Sequence, residues 1–393
     1  MFILIISTIL GLAHVYVWKR AINDTTVPGR LRWALTAAFL VFAGLLVATL
    51  ILPRTIGFRE PTWMAWPGYL WFALVGYLLL TLLVLEPVRL VLRGWVKRQP
   101  PAPEPTTEEP ASSALLNRRL FLARTSTVAA GAASVGLVGF GAVTALGPPD
   151  MLQVPVRLRR LDPAFNGFRI AVVSDIHLGP LAGRAHTERI VRMINESEPD
   201  LVAIVGDLVD GTVAELGSAA QPLQDLVSRE GVFFVTGNHE YFVSDTAEWL
   251  DELERLGVQS LVNEHTLIRR GAAGFALAGV NDLTGKRDSQ GPDYDRALAG
   301  VDAARPTVLM AHQPVMVSAA AARGVALQLS GHTHGGQAWP FQYVVKAAQP
   351  SLAGLSTIDN TQLYVSRGAG FWGPPVRVGA PPDISILSLE AGG

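Results

Sequence analysis

Five stretches in the second half of the chain each run apolar and then end on a ligand-type residue. In order they are RIAVVSD, DLVAIVGD, GVFFVTGNHE, PTVLMAHQP and VALQLSGHTHGG, between Arg169 and Gly336. Their tips are Asp175 with His177, Asp207, Asn238 with His239, His312, and His332 with His334. With no cysteine in the chain, the donors are oxygen and imidazole only. In Asp-x-His and His-x-His, alternate residues of an extended segment turn towards one place. These eight groups, two of them carboxylates, are too many for one tetrahedral zinc ion. They suit two adjacent divalent cations sharing a carboxylate. Mixed imidazole and oxygen ligation points to Mn, Fe, Zn or Co rather than Mg or Ca.

The elements between the tips have to bring them together. Continuous apolar runs of strand length alternate with amphipathic helical patterns. One helix is expected over Arg184 to Glu196, with Thr187, Ile190, Val191 and Ile194 on one face, and another carries Trp249, Leu250, Leu253 and Leu256. Buried strands alternating with helices imply an α/β domain, a sheet covered by helices. In such sheets ligands bind at the carboxyl ends of strands, where all five tips lie. Gly206, Gly237 and Gly331 precede tips, where the backbone must turn sharply and approach ions closely. Asp210 is expected either to support a ligand or to cap the next segment.

Together, SDIHLG, GDLVD, GNHE, AHQP and GHTHGG resemble the calcineurin-like metallophosphoesterases. GHTHGGQ and the later SRGAGFWGPPVR look most like a bacterial membrane-associated branch of that family. The resemblance covers roughly Arg169 to Leu389. It implies an αββα sandwich of mixed sheets flanked by helices. It implies that Asp175, His177 and His334 hold one metal, that Asn238, His312 and His332 hold the other, and that Asp207 bridges them. His239 is then no ligand but the general acid or charge stabiliser beside the scissile phosphate. The implied reaction is phosphoester hydrolysis by metal-activated hydroxide.

Other residues read more plainly. His186 and His265 are expected at the surface, and Asn281-Asp282 in a turn. Arg367 is a weak candidate for holding a phosphate. Trp339, Phe341, Phe371 and Trp372 are loop-packing aromatics or an apolar rim that admits a lipid chain.

The first half is of another kind. The 393 residues are 49% hydrophobic and only 17% charged, with a mean hydropathy of +0.31. Apolar runs at Phe2 to Trp18, Leu31 to Leu52, roughly Trp66 to Leu85 and Thr127 to Leu146 read as four membrane spans, the third closed by Glu86-Pro87. The expected organisation is three spans in 1–98, a Pro/Glu-rich linker in 99–117, a twin-arginine-like segment with the fourth span in 118–147, and the phosphoesterase domain in 148–393. Lys and Arg cluster in the loops after spans one and three, which puts those loops in the cytoplasm and the C-terminal domain outside it. Arg118-Arg119-Leu120-Phe121-Leu122 resembles a twin-arginine export signal, although Asn117 and Ala123 depart from the usual pattern; the plainer reading is a cytoplasmic anchor. A net charge of −1 gives no reason to expect a nucleic-acid partner. The expected partners are a phosphoester substrate, lipid-linked or phospholipid, the membrane and the twin-arginine translocation machinery. The rival expectations are a nucleotide-linked glycolipid pyrophosphate hydrolase (UDP-diacylglucosamine type) on the cytoplasmic face, and a non-catalytic metal-stabilised binding domain. His14 in the first run reads as a tolerated polar residue.

Overall fold

The computed structural model describes residues 2–56, 60–97, 111–242 and 246–392. The chain forms two compact units, Met1–Phe140 and Gly141–Gly393.

The first unit is helical: α1 (Phe2–Trp18), a π-helical turn Lys19–Asn23, α2 (Arg30–Ile56), α3 (Thr62–Lys97) and most of α4 (Ala111–Leu146). By length and composition, Arg30–Pro53, Thr62–Leu92 and Arg118–Leu146 can each cross a membrane. The 17 residues of α1 span about 26 Å at 1.5 Å per residue, short of the ~30 Å hydrocarbon core. Two expectations are corrected. Helix α3 does not close at Glu86-Pro87 but runs on to Lys97. A proline ring removes one helical hydrogen bond without forcing a stop, and the Glu86 carboxylate is paired with Arg20 (2.6 Å) and Arg89 (3.8 Å). The expected linker also ends early, because 111–117 already belong to α4, in a run of good helix formers. The Pro/Glu-rich part of the linker lies outside the described residues. His14 donates and accepts locally, bonded to the Leu10 carbonyl (2.8 Å) and to the Trp71 indole (3.2 Å), as a tolerated polar residue should.

The second unit opens on β1 (Asp150–Arg159), β2 (Phe168–Val173), α5 (Arg184–Glu196), β3 (Leu201–Val205), α6 (Val213–Ala220), β4 (Val232–Val235), α7 (Thr246–Arg255) and β5 (Val258–Ser260). It continues with β6 (Glu264–Arg270), β7 (Ala273–Gly279), α8 (Tyr294–Ala297), β8 (Thr307–Met310), α9 (Val317–Ala321) and β9 (Leu327–Ser330). It ends with α10 (Gln342–Ala348), β10 (Gly354–Ile358), β11 (Thr361–Val365) and β12 (Asp383–Gly392). Among the described residues these strands make two six-stranded mixed sheets, ordered β1-β12-β2-β3-β4-β5 and β10-β11-β9-β8-β7-β6. The neighbours β2, β3 and β4 are parallel, as are β7, β8 and β9, so their carboxyl ends point one way within each sheet.

The sheets pack face to face. Phe168, Ile170, Val172, Leu201 and Phe233 of one meet Phe275, Leu277, Val308, Met310 and Leu329 of the other in a single apolar core. The outer face of the first sheet is covered by α5, α6 and α7, whose Ile190, Ile194, Leu216, Trp249 and Leu253 are buried. The second is covered by α8 and α9 through Ala297 and Ala320. Each inner strand is thus apolar on both faces, which is why the sequence shows unbroken runs rather than alternation. The periodicity of the expected first helix matches α5, with Thr187, Ile190, Val191 and Ile194 buried on one side. The fold is a two-sheet sandwich flanked by helices.

Candidate metal centre

The five tips converge where the carboxyl ends of β2, β3 and β4 face those of β8 and β9. Local backbone geometry makes this possible. Asp175, His177, Asp207, His332 and His334 all have left-handed φ, between +49° and +71°, which is uncommon for residues with a Cβ and concentrates at functional sites. Gly206, also left-handed at φ +76°, lets the β3 turn pass close to Gly237: a Cβ there would sit 2.7 Å from the Gly237 Cα. Gly331 gives the same clearance beside Asp175 and Ser174.

Two clusters of donors result. In the first, His334 Nε2 lies 3.1 Å from His177 Nε2 and 3.3 Å from Asp175 Oδ1. In the second, His312 Nε2 lies 3.2 Å from Asp207 Oδ2, and His332 Nδ1 lies 2.8 Å from Asn238 Oδ1. Asp207 stands between them, its Oδ2 also 3.8 Å from His177 Nε2. His312 gives the clearest test of whether the site fits a cation. Its Nδ1–H donates to the Val205 carbonyl at 2.8 Å, which turns the Nε2 lone pair inward. That Nε2 is buried and, despite its nearness to Asp207, makes no hydrogen bond. A buried donor or acceptor left without a partner is costly, and a divalent cation would satisfy it. The oxygen and imidazole donors, buried except for the half-buried His332, fit two such ions.

His239 adjoins the first cluster, forming with His177 and Asp210 a further group of donors, its ring centroid 4.6 Å from that of His177. Its backbone N–H donates to Asp207 Oδ1 at 2.8 Å, and its Nδ1 lies 2.5 Å from Asp210 Oδ1. The same carboxylate oxygen accepts from His177 Nδ1 at 3.0 Å. Asp210 therefore supports a candidate ligand and His239 together, rather than capping a helix; the cap of α6 is Thr212 with Glu215. Burial opposes charge on His239, but the Asp210 and Asp207 carboxylates outweigh it and raise the pKa to about 9. Burial likewise opposes ionisation of Asp210, yet the two imidazoles hold its carboxyl below the usual range.

Two residues beyond the expected set shape the site. Glu240 accepts from the backbone N–H groups of Asp207 (3.0 Å), Leu208 (2.8 Å) and Gly237 (2.6 Å), which locks the β3 and β4 turns together. It lies inside GNHE, so its motif marked it, though its task did not. Arg377 is fully buried. It donates to His334 Nδ1 (3.0 Å), to the His334 carbonyl (3.1 Å) and to the Ala380 carbonyl (3.1 Å). Burial first, then the Arg377 charge, keeps His334 well below the ordinary imidazole pKa.

The remaining candidates fall elsewhere. The Arg367 guanidinium is held by Asp383 (2.8 Å) and Asp150 (3.4 Å), a structural pair rather than a group held out for phosphate. Asp282 caps a turn and accepts from Gln313, as its turn reading expects. His186 departs from expectation: its Nε2 is enclosed without a partner, and burial pushes the pKa down to about 4, because its position on α5 faces the domain and not water. His265, also expected at the surface, is half-buried on β6 and bonded to the Ala297 carbonyl. Phe371 is core, packed on Ala145 and Ala182, whereas Trp339, Phe341 and Trp372 are exposed.

The comparisons agree with this chemistry. Residues 168–336 match the family described as calcineurin-like phosphoesterase. A transmembrane protein with metallophosphoesterase domain from Danio rerio is 32% identical over 406 residues, covering 99% of this chain and 89% of its own. An uncharacterized metallophosphoesterase from Campylobacter jejuni is 32% identical over 393 residues, covering 99% and 98%. Among solved structures, a dimetal phosphatase from Danio rerio is similar with a TM-score of 0.34 and 13% identity, over 52% of this chain and 88% of that one. The chain belongs to the calcineurin-like metallophosphoesterases, a family of phosphoric ester hydrolases.

Proposed function

We propose that the chain is a membrane-anchored phosphoesterase acting on a phospholipid or lipid-linked phosphate outside the cytoplasm. Asp175, His177 and His334 would hold one divalent ion, Asn238, His312 and His332 a second, with Asp207 shared. Bound there, Mn, Fe, Zn or Co ions would supply Lewis-acid charge and an acidified water. The protein's own part falls to His239. Asp210 fixes the Nδ1 side of its ring, which leaves Nε2 to present a proton to the leaving oxygen. The observation that carries the reading is the inward, partnerless His312 Nε2 beside Asp207. A non-catalytic binding domain would need the ions but has no use for the Asp210–His239 pair.

The substrate class follows from the anchor, since confinement to a membrane raises the local concentration of lipid-borne esters. The test uses the full chain in detergent micelles loaded with Mn or Zn, with soluble and lipid phosphoesters. Turnover is expected, with His239→Ala slowed by about 10²–10⁴. Undiminished turnover in that variant sinks the role of His239; absence of turnover in the parent sinks the enzyme reading.

Arg118 and Arg119 form part of the same proposal as a twin-arginine export signal, which would carry the folded, metal-loaded domain across. Two contacts favour a second reading. Arg119 lies 3.8 Å from Asp24, and Arg124 donates to the Thr25 carbonyl at 3.0 Å, as anchors of α4 would.

A further inference from the structure

We propose that the exposed aromatic surface around α10 docks on the bilayer that the chain itself crosses, so that the site works within the headgroup layer. Trp339, Phe341, Tyr343 and Val344 form an almost continuous apolar run, with Tyr343 66% and Val344 59% exposed. No residue of α10 is buried; Gln342 and Val345 are half-buried on its inner side, and the rest of the helix is exposed. Trp372, 50% exposed, joins the same surface. Gln337 clasps it by accepting from the Trp372 N–H at 3.0 Å and donating to its carbonyl at 2.8 Å.

This surface borders the candidate site on one side. The rings of Trp372 and the exposed Phe242 lie 6.1 Å and 5.1 Å from the His239 ring. On the other side it borders the end of a membrane-spanning helix. The last turn of α4 belongs to the second unit. There the Gly141 carbonyl accepts from Arg377 N at 2.9 Å, and Ala145 packs on Phe371. One residue further, the Val378 carbonyl accepts from Trp339 N at 2.9 Å. The chain therefore leaves its span only a few residues from these aromatics. Tryptophan and tyrosine at that level have the amphipathic character of membrane-interface belts. Lys346, exposed at the far end of α10, can reach anionic headgroups while its stem follows the apolar face.

The inference rests on α4 crossing the membrane, which resistance of the chain to alkaline extraction checks separately. The chain has no cysteine, so one introduced cysteine gives a unique label. Val344→Cys, and as control Val227→Cys in the exposed segment leading to the amino end of β4, are spin-labelled in the full chain. Each is placed in nanodiscs of phosphatidylcholine with phosphatidylglycerol. The label at 344 is expected to be relaxed by oxygen and at least fivefold less accessible to an aqueous nickel chelate than the label at 227. Equal chelate accessibility overturns the proposal. Dipolar broadening between labels at 344 overturns it too, in favour of a second copy. Thermal midpoints matching the parent show that the labelled chains are folded.

Discussion

At the scale of single residues, Asp210 and Arg377 do what the tips cannot do alone. One oxygen of Asp210 accepts from both His177 and His239, so the ring of a proposed ligand and that of the proposed proton donor share one support. In the metal-free protein this has a thermodynamic signature. The folded-state pKa of His239 is raised from 6.5 to about 9, so protonated His239 is favoured by folding. That stabilisation is complete below about 6.5 and lost as pH rises through about 9. The unfolding midpoint of metal-free protein should therefore fall between those limits, and Asp210→Asn should flatten the fall. A variant with the same slope as the parent contradicts the pairing. Arg377 acts from behind His334. It donates to Nδ1 and, with its bonds to the His334 and Ala380 carbonyls, fixes the ring so that Nε2 faces His177 and Asp175. Arg377→Met should leave the carbonyls of His334, Gly368, Gly370 and Ala380 and an imidazole nitrogen short of a donor, costing several kcal/mol at ~1–3 each. Equilibrium dialysis of the folded fraction should show close to one metal per chain instead of two, partly restored by Lys.

At the scale of elements, strands deliver the chemistry and the turns after them hold the strain. Two-faced burial made β2, β3, β4, β8 and β9 readable as apolar runs, and each run ended on a candidate donor, so the residues that converge lay open in linear order. The left-handed backbone at Asp175, His177, Asp207, His332 and His334 did not, because it depends on two sheets meeting end to end. Arg377 was hidden for a similar reason: nothing within PPVR distinguishes a buried arginine from a surface one, and its partner is 43 residues away. Helix ends were the weakest part, since proline marks a lost hydrogen bond rather than a stop, as Pro87 inside α3 shows. The turn geometry makes its own prediction. Gly206→Ala forces a Cβ onto a left-handed residue and towards Gly237. Its cost should be about 1–3 kcal/mol, read from urea midpoints, with metal stoichiometry reduced as the β3 and β4 turns separate. An unchanged midpoint would mean that the turns relax freely.

At the scale of the whole molecule, the open matter is which side of the membrane the phosphoesterase unit occupies. Three helices cross by length and composition. Around the segment between α1 and α2 lie Lys19, Arg20, Arg30 and Arg32, and around the segment between α3 and α4 lie Arg89, Arg93, Lys97, Arg98, Arg118, Arg119 and Arg124, which on the positive-inside rule would place both in the cytoplasm. In the proposed orientation α2 would run outward, α3 inward and α4 outward, so the domain would emerge outside whether or not α1 spans. A phosphatase reporter active only outside the cytoplasm, fused after Gly393, should therefore be active. A reporter confined to the cytoplasm would reverse the orientation and return the substrate to a cytoplasmic glycolipid pyrophosphate. The same fusion separates the two readings of the arginine pair. Arg118→Lys with Arg119→Lys keeps the charge, so a pair serving only to hold the helix end leaves the reporter active. A translocation signal that reads the guanidinium groups themselves is lost in that variant, and the domain stays behind. Inactivity of the double variant, with parent-level expression and membrane insertion, is the outcome the export proposal requires.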